Sequence, residues 1–481
     1  MLKRVCEEIT KDCQKTADVS KLSGNILKHA EFFSSTQISI ILNSLARGNS
    51  RNSEILFSLT RAAENFPKFS AFEIGLIVNS LAKLKFKNER LIDNLLRQSR
   101  RNFQVSRDIT PQTLCLTFAG LISLGREDSR LISSTLSRVE RNFQDFNPAD
   151  CASLLHALSN LEKFPGPLFE KLAIRAGKGQ KENVLLALSS LARNLEISNI
   201  SVIQDLLQKI DGFIPELNLG QLANTAEAVS LVFQKFPGYS LPEKIASEVI
   251  QKLKKEKIQD SSVVLLFSAF SRFKSLRWVP LFLELLPFAG NLNFAGAAVV
   301  LNALSRQNID KTDFYNFQVY EDLTSQSVSL VLAGLARSGN FSEVSKFACK
   351  AFASPSVLRG MTEQGLCNSA LALALNLEIS SSGRSEFLAV IGRLVQLKIL
   401  GSSVEAKTQL QIAALVLAMD LEISSPEISK WVTDVLTSDV VYDEIQPSDL
   451  HLEISSFIGK FKKIENEARV GPYSLDILVI E

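Results

Sequence analysis

The sequence predicts an all-α fold, namely an α-solenoid of about eleven αα-hairpin repeats with a period near 37 residues. Three observations lead to this prediction. One helical string returns many times along the chain, its apolar residues fall on one helical face, and a second apolar-periodic stretch follows most copies after a short turn. Strand signals are scarce, and only Tyr473–Ile480 has the pattern of a strand.

The recurring string is IILNSLAR at residues 40–47, and it returns as LIVNSLAK at 76–83, VVLNALSR at 299–306 and LVLAGLAR at 330–337. We call the central apolar residue of each copy its anchor. The first and last anchors are 372 residues apart over ten intervals, which gives a period of about 37. The eleven anchors are Leu45, Leu81, Leu121, Leu158, Leu191, Val229, Phe270, Leu304, Leu335, Leu373 and Leu417.

Two further positions of the repeat are apolar in every copy, seven and three residues before the anchor. These offsets share one face of a helix with the anchor, so we expect all three columns in the core. The residue just before the anchor is Ser, Gly or Ala in ten of eleven copies, and the residue just after it is Ala or Ser in ten of eleven. Small residues beside a large one predict close packing between neighbouring helices.

Second helices are predicted at 53–66, 89–103 and 129–143, each after a short turn. A related turn, Asn-Leu-Glu-Ile-Ser, occurs at 194–198 and 376–380, and as Asp-Leu-Glu-Ile-Ser at 420–424, where the serine would cap the second helix. We therefore divide the chain into an N-terminal helical cap (1–36), the repeat array (37–420) and a C-terminal cap (421–481).

The composition argues against several classes of protein. The net charge is only +2, and no apolar run is long enough to cross a membrane. The chain has three histidines and six cysteines, with no Cys-x-x-Cys pair, no Gly-rich phosphate loop and no metalloprotease motif. We expect a protein that is not an enzyme, with no metal, cofactor or small-molecule substrate and no membrane span.

Cations recur at the position two residues after the anchor, where six of eleven copies have Lys or Arg. In a stack of repeats this column would form a basic stripe suited to a phosphate backbone. The other interpretation is that a cation there complements the carbonyl end of its own helix. The six residues are Arg47, Lys83, Arg193, Arg272, Arg306 and Arg337.

Charge is also distributed unevenly along the chain. Residues 1–180 hold 26 cations and 18 acidic residues, whereas residues 181–481 hold 27 and 33. The density of cations is highest over 83–107, and the next predicted second helix adds further arginines. If RNA binds, we expect the N-terminal repeats to carry most of the contacts, and the acidic remainder to be free for proteins. The additional candidates are Lys85, Lys87, Arg97, Arg100, Arg101, Arg138 and Arg141.

The position two residues before the anchor is often polar. It is Asn43, Asn79, His156 and Asn302 in four of the copies. A polar residue of the core or of a groove explains this pattern better than a general base does. Contacts to RNA bases explain it equally well.

The pattern L-x-x-(I/L)-x-x-(S/A)-L-(A/S)-(R/K) at this period resembles the heptatricopeptide repeats of organellar RNA-binding proteins. These are relatives of the octotricopeptide repeats and of the helical region in RAP-domain (Fas-activated kinase-like) proteins. The resemblance covers residues 37 to about 420. It implies a right-handed α-solenoid, RNA as the ligand, and residence in a mitochondrion or, alternatively, a plastid. The acidic residues Glu7, Glu8 and Asp12 are atypical of a mitochondrial presequence.

The C-terminal segment carries a second resemblance. Residues 451–461 (HLEISSFIGKF), followed by Gly471-Pro-Tyr-Ser-Leu-Asp-Ile-Leu478, are similar to the helix and strand that lead into a RAP domain. Pro472 departs from the family pattern, because the family has no proline between the glycine and the tyrosine. The chain stops at Glu481, so the resemblance gives no basis for expecting the endonuclease-like body of that domain.

Together these features predict a structural or assembly subunit of the mitochondrial ribosome that contacts ribosomal RNA and other proteins of the particle. This choice within the family rests on the near-neutral charge, which suits a protein surrounded by partners. One alternative is a free organellar factor that stabilises or processes single-stranded RNA. The other is a protein–protein scaffold of the HEAT or armadillo type with no RNA contact.

Overall fold

The computed structural model describes residues 2–15, 22–105, 109–161, 166–194, 199–235, 240–273, 276–290, 292–307, 309, 323–379, 383–420, 425–438, 463–470 and 473–480. Several predictions fall outside these residues. They are the serine caps at 198, 380 and 424, most of the turns that contain them, Arg107 within the basic stretch, the helix at 451–461 and the Gly471-Pro472 pair.

The described residues form 24 α-helices. The first twelve are α1 (Leu2–Lys15), α2 (Ser23–His29), α3 (Ser35–Arg47), α4 (Ser53–Glu64), α5 (Ala71–Leu84), α6 (Glu89–Val105), α7 (Pro111–Ser123), α8 (Ser129–Arg141), α9 (Pro148–Leu158), α10 (Gly166–Ala176), α11 (Lys181–Ala192) and α12 (Ile200–Phe213). The others are α13 (Leu219–Lys235), α14 (Leu241–Leu253), α15 (Asp260–Ser271), α16 (Val279–Leu285), α17 (Phe294–Arg306), α18 (Ser325–Arg337), α19 (Phe341–Phe352), α20 (Pro355–Arg359), α21 (Glu363–Ile379), α22 (Arg384–Leu397), α23 (Val404–Asp420) and α24 (Pro426–Leu436).

The chain divides into two compact units. Unit 1 comprises residues 1–217 and 235–241, and unit 2 comprises 218–234 and 242–481. We call the helices that hold the eleven anchors the anchor helices; they are α3, α5, α7, α9 and α11 in unit 1, and α13, α15, α17, α18, α21 and α23 in unit 2.

Unit 1 consists of helical hairpins that pack in sequence. Each anchor helix from α3 to α11 contacts the next anchor helix, and α2, α4, α6 and α8 form a second row in which each helix contacts the next. Within a hairpin, the anchor helix also contacts the helix that follows it, as in α5 with α6 and α9 with α10. This sequential pairwise packing confirms an all-α unit and is consistent with a solenoid.

Unit 2 repeats this arrangement. The anchor helices α15, α17, α18, α21 and α23 contact one another in order, and α22 contacts α19 and α24 in the second row. Unit 2 also contains an antiparallel pair of strands, β1 (Lys463–Val470) and β2 (Tyr473–Ile480), whose register runs from Lys463 opposite Ile480 to Val470 opposite Tyr473. The strand prediction for 473–480 is confirmed, whereas β1 was not predicted.

The predicted core columns lie in the interior of both units. All eleven anchors are at most 2% exposed, and the residues three and seven positions before them are at most 1% exposed. The spacing of 3.6 residues per turn explains this result, because these three positions share one face of the anchor helix. Full burial of a Leu, Val or Phe side chain contributes roughly 1.5–3 kcal/mol, so these columns dominate the packing.

In α7 and α18 the small residue before the anchor faces the preceding anchor helix. A Cβ atom added at Gly120 in α7 would lie 2.7 Å from the backbone nitrogen of Asn79 in α5, and one added at Gly334 in α18 would lie 3.0 Å from Cγ of Leu301 in α17. Such distances leave no room for a larger side chain. At Ser80 the hydroxyl donates instead to the backbone carbonyl of Leu76 at 2.6 Å, within its own helix.

A column of helix caps lies eleven residues before the anchor. In eight of the anchor helices a Ser, Thr or Asn side chain at this position accepts a hydrogen bond from the backbone N–H three residues later, which stabilises a helix start by roughly 1 kcal/mol. The sequence analysis missed this column, although its residue types are the usual caps. The eight residues are Ser34, Ser70, Thr110, Asn147, Asn218, Asn293, Thr324 and Thr362.

The turn predicted at 376–380 is wrong over its described part, because α21 continues through Ile379. Asn376 is fully buried inside this helix, so its side chain packs among neighbours and does not end the helix. In the two other copies of this motif, the residue after the predicted serine caps the second helix, so the cap lies one residue later than predicted. Asn199 caps α12 and Ser425 caps α24.

Candidate nucleic-acid interface

The predicted stripe of cations lies at the C-terminal ends of the anchor helices. Arg47, Arg306 and Arg337 are the last residues of α3, α17 and α18, and Lys83 is the second-last residue of α5. Arg193 and Arg272 directly follow α11 and α15. The repeat spacing thus places all six at equivalent points of their helices, but the environments of the six side chains differ.

In unit 1, six of the predicted cations are exposed, and their side chains form no ion pair or hydrogen bond with any described residue. Three of them lie between residues 83 and 87, at the end of α5 and in the turn that follows, where Lys85 adopts a left-handed conformation with φ of 55°. Exposed unpaired cations keep their full charge available to a polyanion. The six residues are Arg47, Lys83, Lys85, Lys87, Arg97 and Arg101.

The structure separates these cations into two groups. The three lysines precede the first residue of α6, whereas Arg101 is twelve residues into that helix. At 1.5 Å of rise per residue this separation is about 18 Å. Arg97 and Arg101 therefore belong to the outer face of the second row and not to the stripe at the ends of the anchor helices.

Three other predicted cations of unit 1 have protein partners. Arg100 forms an ion pair with Asp128, the cap of α8, and this contact helps to lower the pKa of Asp128 against the effect of burial. Arg138 donates to the backbone carbonyl of Phe103 at 3.4 Å. Arg141 donates to the carbonyl of Ser137 at 3.1 Å in its own helix. Arg100 and Arg138 thus join α8 to α6.

Three arginines of the stripe reach back to the preceding anchor helix or to the residues at its end. Arg337 donates to Oδ1 of Asn302 at 2.6 Å, and Arg193 donates to Oδ1 of Asn160 at 3.4 Å. Arg272 lies 2.8 Å from Oε2 of Glu227. These contacts link residues 33 to 45 positions apart, which is about one repeat. The sequence analysis did not anticipate this role.

Arg272 has the most extensive set of partners in the stripe. Besides the ion pair with Glu227, its guanidinium donates to Oγ of Ser230 at 2.9 Å and to Oγ of Ser268 at 3.2 Å. Arg306, in contrast, is exposed and has no partner among the described residues. The stripe of unit 2 therefore contains both tied and free arginines.

A groove of about 460 Å³ crosses the exposed face of the anchor helices in unit 1. Residues of α5 and α9 form its two walls, residues of α7 between them form its floor, and Leu186 of α11 also belongs to the lining. Lys83 of the stripe lies on one wall, and His156 lies on the other. The sequence predicted a polar residue of the core or of a groove at His156, or a contact to RNA bases, and the residue lies in the lining of this groove.

The groove exists because α7 carries small side chains where its neighbours carry long ones. The positions two before and two after the anchor are Ala119 and Ser123 in α7, but Asn79 and Lys83 in α5. In addition, the absence of a side chain at Gly120 lets α7 approach the backbone of α5. The floor is therefore lower than both walls.

Burial changes the proton affinity of groups at the groove. It lowers the pKa of His156, and the positive charge of Arg193 lowers it further, so the imidazole is neutral at neutral pH. Its Nδ1 atom is buried and has no hydrogen-bond partner among the described residues. Burial raises the pKa of Asp150, which the hydrogen bond from the Asn147 backbone only partly offsets.

The described residues contain no group of three or more His, Cys, Asp or Glu side chains placed to hold a metal ion. Among the same residues, no helix combines the length and the apolar character needed to cross a membrane.

No protein-family model matches the sequence, and no curated protein matches it. Among solved structures the chain is similar to one described as a homology model of the full-length AP-3 complex in an intermediate open conformation. The match has 12% sequence identity, covers 95% of this chain and 90% of the other, and has a TM-score of 0.26. At this TM-score the similarity carries no argument about function.

Proposed function

We propose that the chain is a non-enzymatic RNA-binding helical-repeat protein, in which unit 1 contacts the RNA. The observation that carries the proposal is the set of six exposed cations in unit 1 that have no partner among the described residues. Two of these cations, Arg47 and Lys83, occupy the repeated position of the stripe, and unpaired cations of this kind suit the repeated charge of a phosphate backbone. The proposal includes about eleven αα-hairpin repeats with a period near 37 residues.

We further propose that the protein works in an organelle, as a structural or assembly subunit of the mitochondrial ribosome that contacts ribosomal RNA. The resemblance to heptatricopeptide repeats supports this placement, as does the near-neutral total charge of +2. A free RNA stability or processing factor is the alternative. Sequencing of RNA crosslinked to the protein in organelles separates the two, because the first predicts ribosomal RNA and the second predicts transcripts.

A role in protein contacts has support from unit 2. The positions that carry Asn79 and Lys83 in α5 are Leu371 and Leu375 in α21, and Leu415 and Met419 in α23. Met419 is 80% exposed. An apolar surface of this kind suits a protein partner better than a polyanion, so unit 2 would bind other proteins of the same particle.

The first experiment is a salt titration of the full-length protein with unstructured RNA. If about six phosphates are neutralised, the log–log slope of affinity against salt concentration should be about −4 for a single strand. Replacing Lys83, Lys85 and Lys87 by Ala should make this slope shallower by about 2, because three phosphate contacts are lost.

The matched control is the triple replacement of Lys254, Lys255 and Lys257 by Ala, because these exposed lysines follow α14 in unit 2. It should leave both affinity and slope unchanged. Absence of binding at low salt would refute the RNA proposal and leave the protein scaffold. Equal effects of the two triple variants would refute the assignment to unit 1.

A further inference from the structure

The groove on α5, α7 and α9 combines an apolar floor with polar walls. Leu116 and Ala119 provide apolar surface on the floor, whereas Asn79, Ser153 and His156 provide amide, hydroxyl and imidazole groups along the walls. Pockets for small ligands span roughly 300–1,000 Å³ and combine apolar lining with a few converging polar groups. At about 460 Å³ the groove falls within this range.

Two observations point to the chemical class of the occupant. His156 lines the groove and is only half-buried, so its imidazole offers a hydrogen-bonding group to an occupant. Lys83, at the groove wall, is an exposed cation that lacks a described partner. An occupant with a flat polar edge and an adjacent negative charge would satisfy both residues.

We propose that this groove receives an unpaired nucleobase of a bound RNA strand, with the adjoining phosphate at Lys83. This inference rests on the proposed function and adds the site at which a base is held. The base lies over Leu116 and Ala119, and its hydrogen-bonding edge faces His156 or Asn79. Because Nδ1 of His156 is buried, Nε2 is the ring nitrogen that can face the base.

The depression on α7 is the feature that makes room for the base, so filling it is the direct test. Ala119→Leu places a larger side chain on the floor without any change in charge. The same position of the repeat is Leu371 in α21 and Leu415 in α23, so the anchor helices of this chain already accommodate leucine there. Ser189→Leu makes a similar change at this position in α11, outside the groove lining.

The probe is a labelled oligouridine of about 12 nucleotides, a length that spans a typical single-strand site, together with an abasic oligomer of the same length. Ala119→Leu and His156→Leu should each weaken oligouridine binding by about tenfold and leave the salt slope unchanged, since no phosphate contact is lost. Wild-type protein should bind the abasic strand more weakly, and the two variants should weaken that binding no further.

Three outcomes separate this inference from the proposed function. The groove assignment alone would be overturned if Ala119→Leu bound oligouridine with wild-type affinity while the salt dependence of binding still required Lys83, Lys85 and Lys87. It would also be overturned if the two variants lost the same amount of affinity for the abasic strand as for oligouridine. Failure of the wild-type protein to bind either strand would overturn both proposals. Thermal unfolding of Ala119→Leu and Ser189→Leu provides the control for folding.

Discussion

The two units differ in how many cations of the stripe are tied to the protein, which is one of three in unit 1 (Arg193) and two of three in unit 2. In unit 1, Arg47 and Lys83 are exposed and have no described partner. In unit 2, Arg272 is held by Glu227, and Arg337 is held by Asn302. One repeated position can therefore either present charge to a ligand or join neighbouring helices. The sequence pattern alone does not distinguish these roles.

The total charge of the two units differs as well, since unit 1 is net positive and unit 2 is net negative. Unit 1 has 30 cations and 23 acidic residues, whereas unit 2 has 23 and 28. In α21 and α23 the stripe position is Leu375 and Met419, so the cationic character of the column ends there. A helical scaffold of one kind thus carries a surface suited to a polyanion in one unit and an apolar surface in the other.

The largest effect should come from the core that both units share. Leu81 in unit 1 and Leu373 in unit 2 are fully buried, so replacing either by Ala should lower the free energy of unfolding by about 2–5 kcal/mol. Urea denaturation measures the loss, and hydrogen exchange should locate it in the unit that carries the substitution. A loss below about 0.5 kcal/mol, as is usual at surfaces, would contradict the buried role of the anchors.

A smaller effect should separate the two roles of the stripe. Arg272→Ala leaves Glu227 without its ion-pair partner and should cost about 1–3 kcal/mol of stability. Lys83→Ala should change stability by no more than about 0.5 kcal/mol. A double-mutant cycle with Glu227→Ala and Arg272→Ala should show coupling between the two residues. Additive effects in that cycle would mean that the contact adds nothing to stability.

The smallest effect concerns two carboxylates at equivalent points of their helices. Glu73 and Asp150 both lie at the third residue of a capping box, in α5 and α9. Burial raises the pKa of Glu73, but hydrogen bonds from Thr36, Ser70 and Ser35 lower it by a larger amount, so the net shift of the pKa is downward. The pKa of Asp150 is instead raised, chiefly by burial.

These opposite shifts predict opposite dependence on pH. The stabilisation from Glu73 is complete above its ordinary pKa of 4.5 and disappears as pH falls through the lowered value. Glu73→Gln should therefore cost about 1 kcal/mol at neutral pH and nothing in strong acid. Asp150→Asn should leave stability unchanged or increase it at neutral pH, because a buried charge is removed. Urea denaturation midpoints of both variants, measured across pH, test these predictions. If the two variants changed stability with the same dependence on pH, the opposite pKa shifts of Glu73 and Asp150 would be contradicted.

The sequence was sufficient to identify the helices and the core. The apolar columns predicted which residues are buried because helical periodicity is local, and the second helices predicted at 53–66 and 129–143 correspond to α4 and α8. The strand β1 was missed because Lys463–Val470 contains charged residues in place of a plain apolar alternation. The turn predicted at 376–380 was wrong because the helical pattern continues through Asn376, which is buried.

The candidate site was less accessible from sequence. The partners of Arg193, Arg272 and Arg337 lie about one repeat away, at separations that vary with loop length. No fixed spacing could identify them. The groove depends on Ala119 and Gly120 as much as on its polar walls, and small residues at such positions show their effect only when the neighbouring helices are in place.

The most direct test of the central claim is photocrosslinking of the full-length protein to a 4-thiouridine oligonucleotide, with the crosslinked peptides identified by mass spectrometry. Our account predicts crosslinks in unit 1, within residues 76–123 and 149–160. Crosslinks confined to unit 2, or their absence at low salt, would contradict the assignment of unit 1 as the RNA-binding surface.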